Sequence, residues 1–222
     1  MIKLEKTDVM NIENAFRGMR NPLNSWDKSD SRFNWETGEY IIGQKDLALA
    51  KRLVRAGTDH RKFLRQIFVS VDITAPLYWY KEFDTYKVAT VANSCSTMHK
   101  IHAKEFTIDD FSHEHLGIKN QAPGIYGEWN FEYFLHETIR GLNAAREVYL
   151  QTKDKDFWWQ MIQLLPSSYN QLRTVTLNYE TLLNQYYARR HHKLDEWHTY
   201  CDWIERLPYF KQICLDGDNN GE

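Results

Sequence analysis

Four polar residues near the C-terminal end, Asn178, Glu180, Asn184 and Arg189, have types and spacing that suit ligand chemistry. On a helix, Glu180 and Asn184 stand one turn apart, so their side chains meet on one face. Arg189 lies close to three turns beyond Asn178 and returns near that face. Two amides and a guanidinium on one stripe can hold a planar ring by its edge atoms, and the arginine fork gives paired, directed hydrogen bonds. The same spacing also describes a polar, solvated helix face.

Other candidates are weaker. Cys95 sits in the polar run Asn93-Ser94-Cys95-Ser96-Thr97, where a thiol is either a nucleophile or an unreactive side chain at a strand end. Lys87, after Tyr86, is either a solvated charge or a phosphate contact. His192 and Glu196 stand at i, i+4, but the HExxH pattern is absent and the adjacent His191 points to another face, so no metal site is expected. No G-x-G-x-x-G motif, P-loop or nucleophile elbow occurs.

These residues need elements to position them. Gln44–Ala56 reads as a helix with Leu47, Ala50, Leu53 and Val54 on one face and Gly57 as its stop. Phe63–Ile73 alternates and is β-branched, which predicts a strand ended by Pro76, followed by a short helix over Leu77–Phe83. Thr107 caps a helix through His113. Long helices are expected over Glu128–Thr152 and Asp156–Leu165, with a short strand at Thr174–Leu177. A long helical stretch then runs over Tyr179–Arg206, bent near His191 and His192. Residues 17–40 read as an irregular segment pinned by Trp26, Phe33 and Trp35. This order predicts an α+β fold, a small antiparallel sheet packed with several long helices. One domain over residues 1–215 and a flexible acidic tail at 216–222 are expected.

Composition narrows the partners. A formal charge of −2 offers no basic surface for nucleic acid. Three widely spaced cysteines form neither a disulfide framework nor a CxxC pair, which points to a reducing compartment. The opening MIKLEKTDVM has no apolar leader core, and no stretch approaches the ~20 apolar residues of a membrane span. The expectation is a soluble cytoplasmic protein, bacterial or viral. Aromatics reach 14%, which suits cores, subunit interfaces and stacking pockets alike.

Read together, these segments resemble the flavin-dependent thymidylate synthase (ThyX) family. The family shows Leu-Pro, a Thr-rich strand, Asn-x-Arg, a second Asn, an Arg, and a helix opening near Ala-Gln-x-Glu. Here the run is Leu165-Pro166, Arg173-Thr174-Val175-Thr176, Asn178-Tyr179-Glu180, Asn184, Arg189, then Glu196. The central signature Arg-His-Arg-x-x-Ser-x-Asn-Glu-x-Ser-x-Arg is colinear with Thr85–Thr97 and altered. Lys87 keeps a charge and Thr90 a hydroxyl, while Asn93 replaces Glu, Cys95 the second Ser and Thr97 the last Arg. Ala75-Pro76 precedes it at the right distance, Glu82 sits where the family often has Gln, and Gly57 to His60 resembles a stretched Gly-His. The likeness spans roughly residues 45–206.

The resemblance implies transfer of a one-carbon unit to C5 of dUMP, with reduced FAD as hydride source and NADPH and methylenetetrahydrofolate as co-substrates. It implies that Arg189 binds and polarises the uracil ring, joined on the substrate side by Glu82, Lys87, Asn93 and Cys95. It places His60, Tyr86, Lys87, Asn178, Glu180 and Asn184 at the flavin. It also implies a homotetramer with shared sites. Each charge-assisted contact contributes about 1.5–3 kcal/mol, so losing two arginines weakens binding by roughly a hundredfold unless replaced. Lys87, Arg61, Lys62, Arg65, Arg173 and Arg190 are candidate replacements. A folded homologue that binds nucleotide or flavin without turnover, or serves as a scaffold, is the alternative.

Overall fold

The computed structural model describes residues 2–117, 122–124 and 127–215. The strands are β1 (Lys3–Met10), β2 (Arg32–Asn34), β3 (Glu39–Ile41), β4 (Phe68–Pro76), β5 (Val91–Ser94), β6 (Ala122–Gly124), β7 (Gly127–Trp129) and β8 (Asn170–Asn178). The helices are α1 (Ile12–Gly18), α2 (Gln44–Arg55), α3 (Leu77–Phe83), α4 (Phe131–Thr152), α5 (Lys155–Leu164), α6 (Tyr179–Arg189) and α7 (Asp195–Arg206). The architecture is α+β, as the sequence predicts. One small sheet has the strand order β1-β4-β8-β5, and β2–β3 and β6–β7 are antiparallel pairs. β4 and β8 are antiparallel: Tyr179 N donates to Ile67 O at one end and Leu77 N to Tyr169 O at the other, both at 3.0 Å.

The chain divides into two compact units, each assembled from separated segments. The first comprises Met1–Lys3, Ile73–Thr85 and Asn93–Arg173; the second comprises Leu4–Asp72, Tyr86–Ala92 and Thr174–Glu222. The expected acidic tail, 216–222, lies outside the described residues.

In the second unit, alternation buries Val69 and Val71 of β4 and Val175 and Leu177 of β8. Trp197, Tyr200 and Ile204 of α7 and Leu182 and Leu183 of α6 are fully buried. Removing each such aliphatic side chain from water contributes roughly 1.5–3 kcal/mol. The strand starts later than the sequence predicts, because Lys62–Gln66 is a 3-10 turn. Phe63 and Leu64 are both buried, and neighbours on a strand cannot face the same side. β8, conversely, is longer than its β-prone centre. The predicted bend between α6 and α7 is a full break. His192 Nδ1 accepts Leu194 N–H at 3.1 Å there, satisfying backbone that leaves the helix.

The 17–40 segment is not held by its aromatics: Trp35 is 88% exposed and Trp26 53%. Its anchor is buried Arg20, whose Nε donates to Asp46 Oδ1 at 2.5 Å and whose terminal nitrogens reach Ser25 O and Lys28 O. The inward face of α2 therefore centres on Asp46, Leu49 and Ala50, one polar residue among apolar ones. Burial by itself pushes the Asp46 carboxyl up, but bonds from Ser31, Ser29 and Arg20 outweigh it and hold the group below its ordinary value.

In the first unit, α4 and α5 close over a core of Ile101, Phe106, Phe111, Leu135, Leu142 and Met161. α4 begins at Phe131, not Glu128, because the Asn130 side chain accepts Tyr133 N–H as its cap. Thr107 caps its element as expected and forms a capping box with Asp110, but the element behind it is a single 3-10 turn, Ile108–Asp110, not a helix through His113.

Candidate functional site

In the second unit, α6 organises the residues singled out by spacing. Its first residue follows Asn178, which is buried and whose Oδ1 accepts Thr181 N–H at 2.9 Å. That oxygen is a helix cap. Glu180 and Asn184 do share a face, and the link between them is Arg61. Arg61 Nε lies 3.0 Å from Glu180 Oε2, and its terminal nitrogen lies 3.4 Å from Asn184 Oδ1. Gly57, at φ +96°, makes the turn that ends α2 and lets the chain reach His60 and Arg61. His60, next to Arg61 in the chain, is exposed.

Arg189 occupies a second cluster at the other end of α6. Its Nε donates to Tyr86 Oη at 2.8 Å, and its guanidinium carbon lies 4.9 Å from the Trp197 ring centre. Tyr86 and Trp197 meet edge-on, with ring centres 6.2 Å apart. The Tyr86 hydroxyl and the rings of Tyr86 and Trp197 thus help orient the guanidinium, a rigid posture for a group that reads a ring edge. Sequence spacing missed Trp197, because the helix break erases the periodicity that relates it to Arg189.

The Tyr86–Ala92 segment is tied to α6 through Thr181 Oγ1, which donates to Val88 O at 3.3 Å. Lys87 is exposed, and Thr90 Oγ1 is buried with no hydrogen-bond partner among the described residues.

The first unit holds Glu82, half-buried on α3, and Asn93 and Cys95, both exposed on or just after β5. Cys95 is held by its backbone: its N–H donates to Leu172 O at 2.9 Å, and its carbonyl accepts from Gln171 Nε2 at 2.7 Å. Gln171 Oε1 in turn accepts from Arg173 Nε. Arg173 stacks 3.7 Å over the Tyr80 ring and reaches Asp84 at 2.6 Å, so this candidate replacement cation serves structure. Burial pushes the Tyr80 phenol well above its ordinary value.

Cys95, Ser96 and Thr97 line a cleft of about 640 Å³, the size range of small-molecule sites. Lys3, Lys100 and Lys104 also line it. Lys104 pairs with Asp110, whereas Lys3 and Lys100 make no ion pair within the described residues. None of the three was legible as a site residue; the only cue was that Lys100 and Lys104 follow the altered signature. No group of metal-binding side chains occurs among the described residues, and all three cysteines are free. No described helix is long and apolar enough to cross a membrane.

The fold is that of the flavin-dependent thymidylate synthases. A crystal structure of thymidylate synthase X from Helicobacter pylori with FAD and dUMP is similar over 97% of this chain and 98% of that one, with a TM-score of 0.67 and 16% identity. A UMP/dUMP methylase, PolB from Streptomyces cacaoi, bound with 5-Br dUMP, is similar over 97% and 95%, with a TM-score of 0.62 and 14% identity. No protein-family model and no curated protein matches the chain. At such identities the likeness establishes the fold, as the resemblance in the sequence implied.

Proposed function

We propose that this protein binds a pyrimidine nucleotide through Arg189 and, with a flavin, modifies the pyrimidine at C5, as a divergent dUMP methylase. The observation that carries this reading is the Arg189 posture. Tyr86 and Trp197 hold the guanidinium in place, and Arg189 is the residue to which the resemblance gives the pyrimidine. Arg189 would hold the ring edge and stabilise charge that develops there, which is positioning plus electrostatic stabilisation.

The residues of the second unit fit FAD. Thr90 Oγ1 is an orphaned buried hydroxyl, and Lys87, His60 and Asn184 are exposed polar groups. The Glu180 carboxylate, which stands where the family has an arginine, is neutralised by Arg61 and so does not repel a pyrophosphate. When bound, the flavin would supply the hydride, the electron chemistry that protein side chains lack. In the first unit, taken by itself, Lys3 and Lys100 give the Cys95 cleft a positive wall that suits an anion. Methylenetetrahydrofolate and NADPH as co-substrates, cytoplasmic location and a homotetramer with shared sites belong to the same proposal.

The purified protein should show the two-band flavin spectrum or gain it with added FAD, and should release tritium from C5-labelled dUMP. A colourless protein that binds neither FAD nor dUMP overturns the reading. Binding without tritium release selects the non-catalytic homologue.

A further inference from the structure

A second cleft, in the second unit, is lined by cations whose arrangement the activity above does not use. Its volume is about 600 Å³, and its walls include Arg20, Lys28, Lys45 and Arg52. Among the described residues, no carboxylate side chain lines it. Lys28, Lys45 and Arg52 are exposed and make no ion pair within the described residues. In a chain of net charge −2, this is an uncompensated local concentration of positive charge.

The cleft is also prebuilt. Arg20 is 4% exposed, and its guanidinium is fixed by Asp46, Ser25 and the Lys28 carbonyl. The nearby carboxylates are turned to other work. Asp46 accepts from Ser29 and Ser31 as well as Arg20. Asp30 accepts the N–H groups of Lys45 and Asp46 at 2.9 and 3.1 Å, holding the start of α2. Gly43 permits this approach, since a Cβ there would fall 2.2 Å from Asp30 Oδ1. The backbone that carries Lys28 and Lys45 is therefore locked before any ligand arrives, so ordering it adds no cost on binding. Half-exposed Leu23, with Ala48 and Leu49, gives the same cleft an apolar wall.

We propose that this cleft is a binding site for a phosphorylated small molecule of the diphosphate class, with Lys28, Lys45 and Arg52 as its counter-charges. Three cations crowd one concavity, and a multivalent anion relieves their mutual repulsion. Lysine and arginine together suit phosphate oxygens, one as point charge and one as fork.

The test uses the full chain and inorganic pyrophosphate, titrated calorimetrically at low salt. Saturable binding is expected, weakening as salt screens the exposed charges. The triple variant K28Q/K45Q/R52Q, whose positions are exposed, should melt as the parent does and bind about thirtyfold more weakly, the modest loss expected when three solvent-screened charges are removed together. The control K153Q/K155Q should bind as the parent. Absence of saturable binding, or unchanged affinity in the triple variant, overturns the proposal; the latter result would move pyrophosphate to another site, such as the Lys100 cleft. Charge-dependent retention on anionic phospholipid vesicles without pyrophosphate binding also overturns it, in favour of a lipid headgroup. Loss of FAD or dUMP binding in a protein that still binds pyrophosphate would sink only the proposed function.

Discussion

The two stretches that carry the family resemblance have opposite physical situations. In Asn178–Arg189 the matching side chains are occupied within the unit: Asn178 caps α6, Asn184 and Glu180 meet Arg61, and Arg189 meets Tyr86. In Thr85–Thr97 most positions face outward, and Val88 is 85% exposed. A side chain that also holds the fold constrains what can replace it; an exposed one does not. The retained Asn178 therefore testifies first to helix capping, and only then to a ligand.

Four outcomes would break or sharpen this contrast. Glu180→Ala leaves Arg61 without its carboxylate. Both side chains are mostly buried, so the loss should be about 3 kcal/mol, read as a fall in the urea midpoint. A change within a few tenths would place the pair on the ligand's side of the ledger instead. Arg189→Ala should weaken dUMP binding about a hundredfold, or ~2.7 kcal/mol, with a smaller loss of stability from the contacts to Tyr86 and Trp197. Unchanged affinity would remove Arg189 from the site. Asn178→Ala should cost about 1 kcal/mol of stability through the lost cap, whether or not flavin is present. A variant as stable as the parent that has lost FAD would reverse the reading of that residue.

The smallest effect concerns thiols. Cys95→Ser should leave stability and turnover within twofold, and abolished turnover would mark Cys95 as a nucleophile. Burial raises the Cys201 thiol to about 11 and Cys214 further still, so both stay protonated and shielded at pH 8. A thiol reagent at that pH should titrate Cys95 alone in the native protein and all three cysteines in denaturant. As pH rises toward 11, Cys201 should gain reactivity only as fast as its burial relaxes.

How much was legible in the sequence follows the same division. The helices α3 and α5 fall within a residue or two of expectation, because Pro76 and Pro166 bound them. β1 and α1 were not read at all. The strand expected from Phe63 failed because apolar residues in a 3-10 turn mimic a strand's beginning. Spacing found that Glu180 and Asn184 share a face, but not that Arg61, more than a hundred residues earlier, fills the gap between them. Lys3, Lys100, Lys104 and Trp197 were missed for the same reason: their meaning lies in tertiary neighbours that no local pattern encodes.

The interleaved units carry a consequence for biosynthesis. The first unit needs β8 residues through Arg173, and the second needs everything from Thr174 onward, including α6 and α7. Neither has its full complement of contacts while the ribosome is still making the first three-quarters of the chain. Loop closures over such sequence separations are slow, and apolar strands such as β4 wait unpaired meanwhile. Expression at low temperature, or with holdase chaperones present, should therefore raise the soluble yield more than stabilising any one helix would.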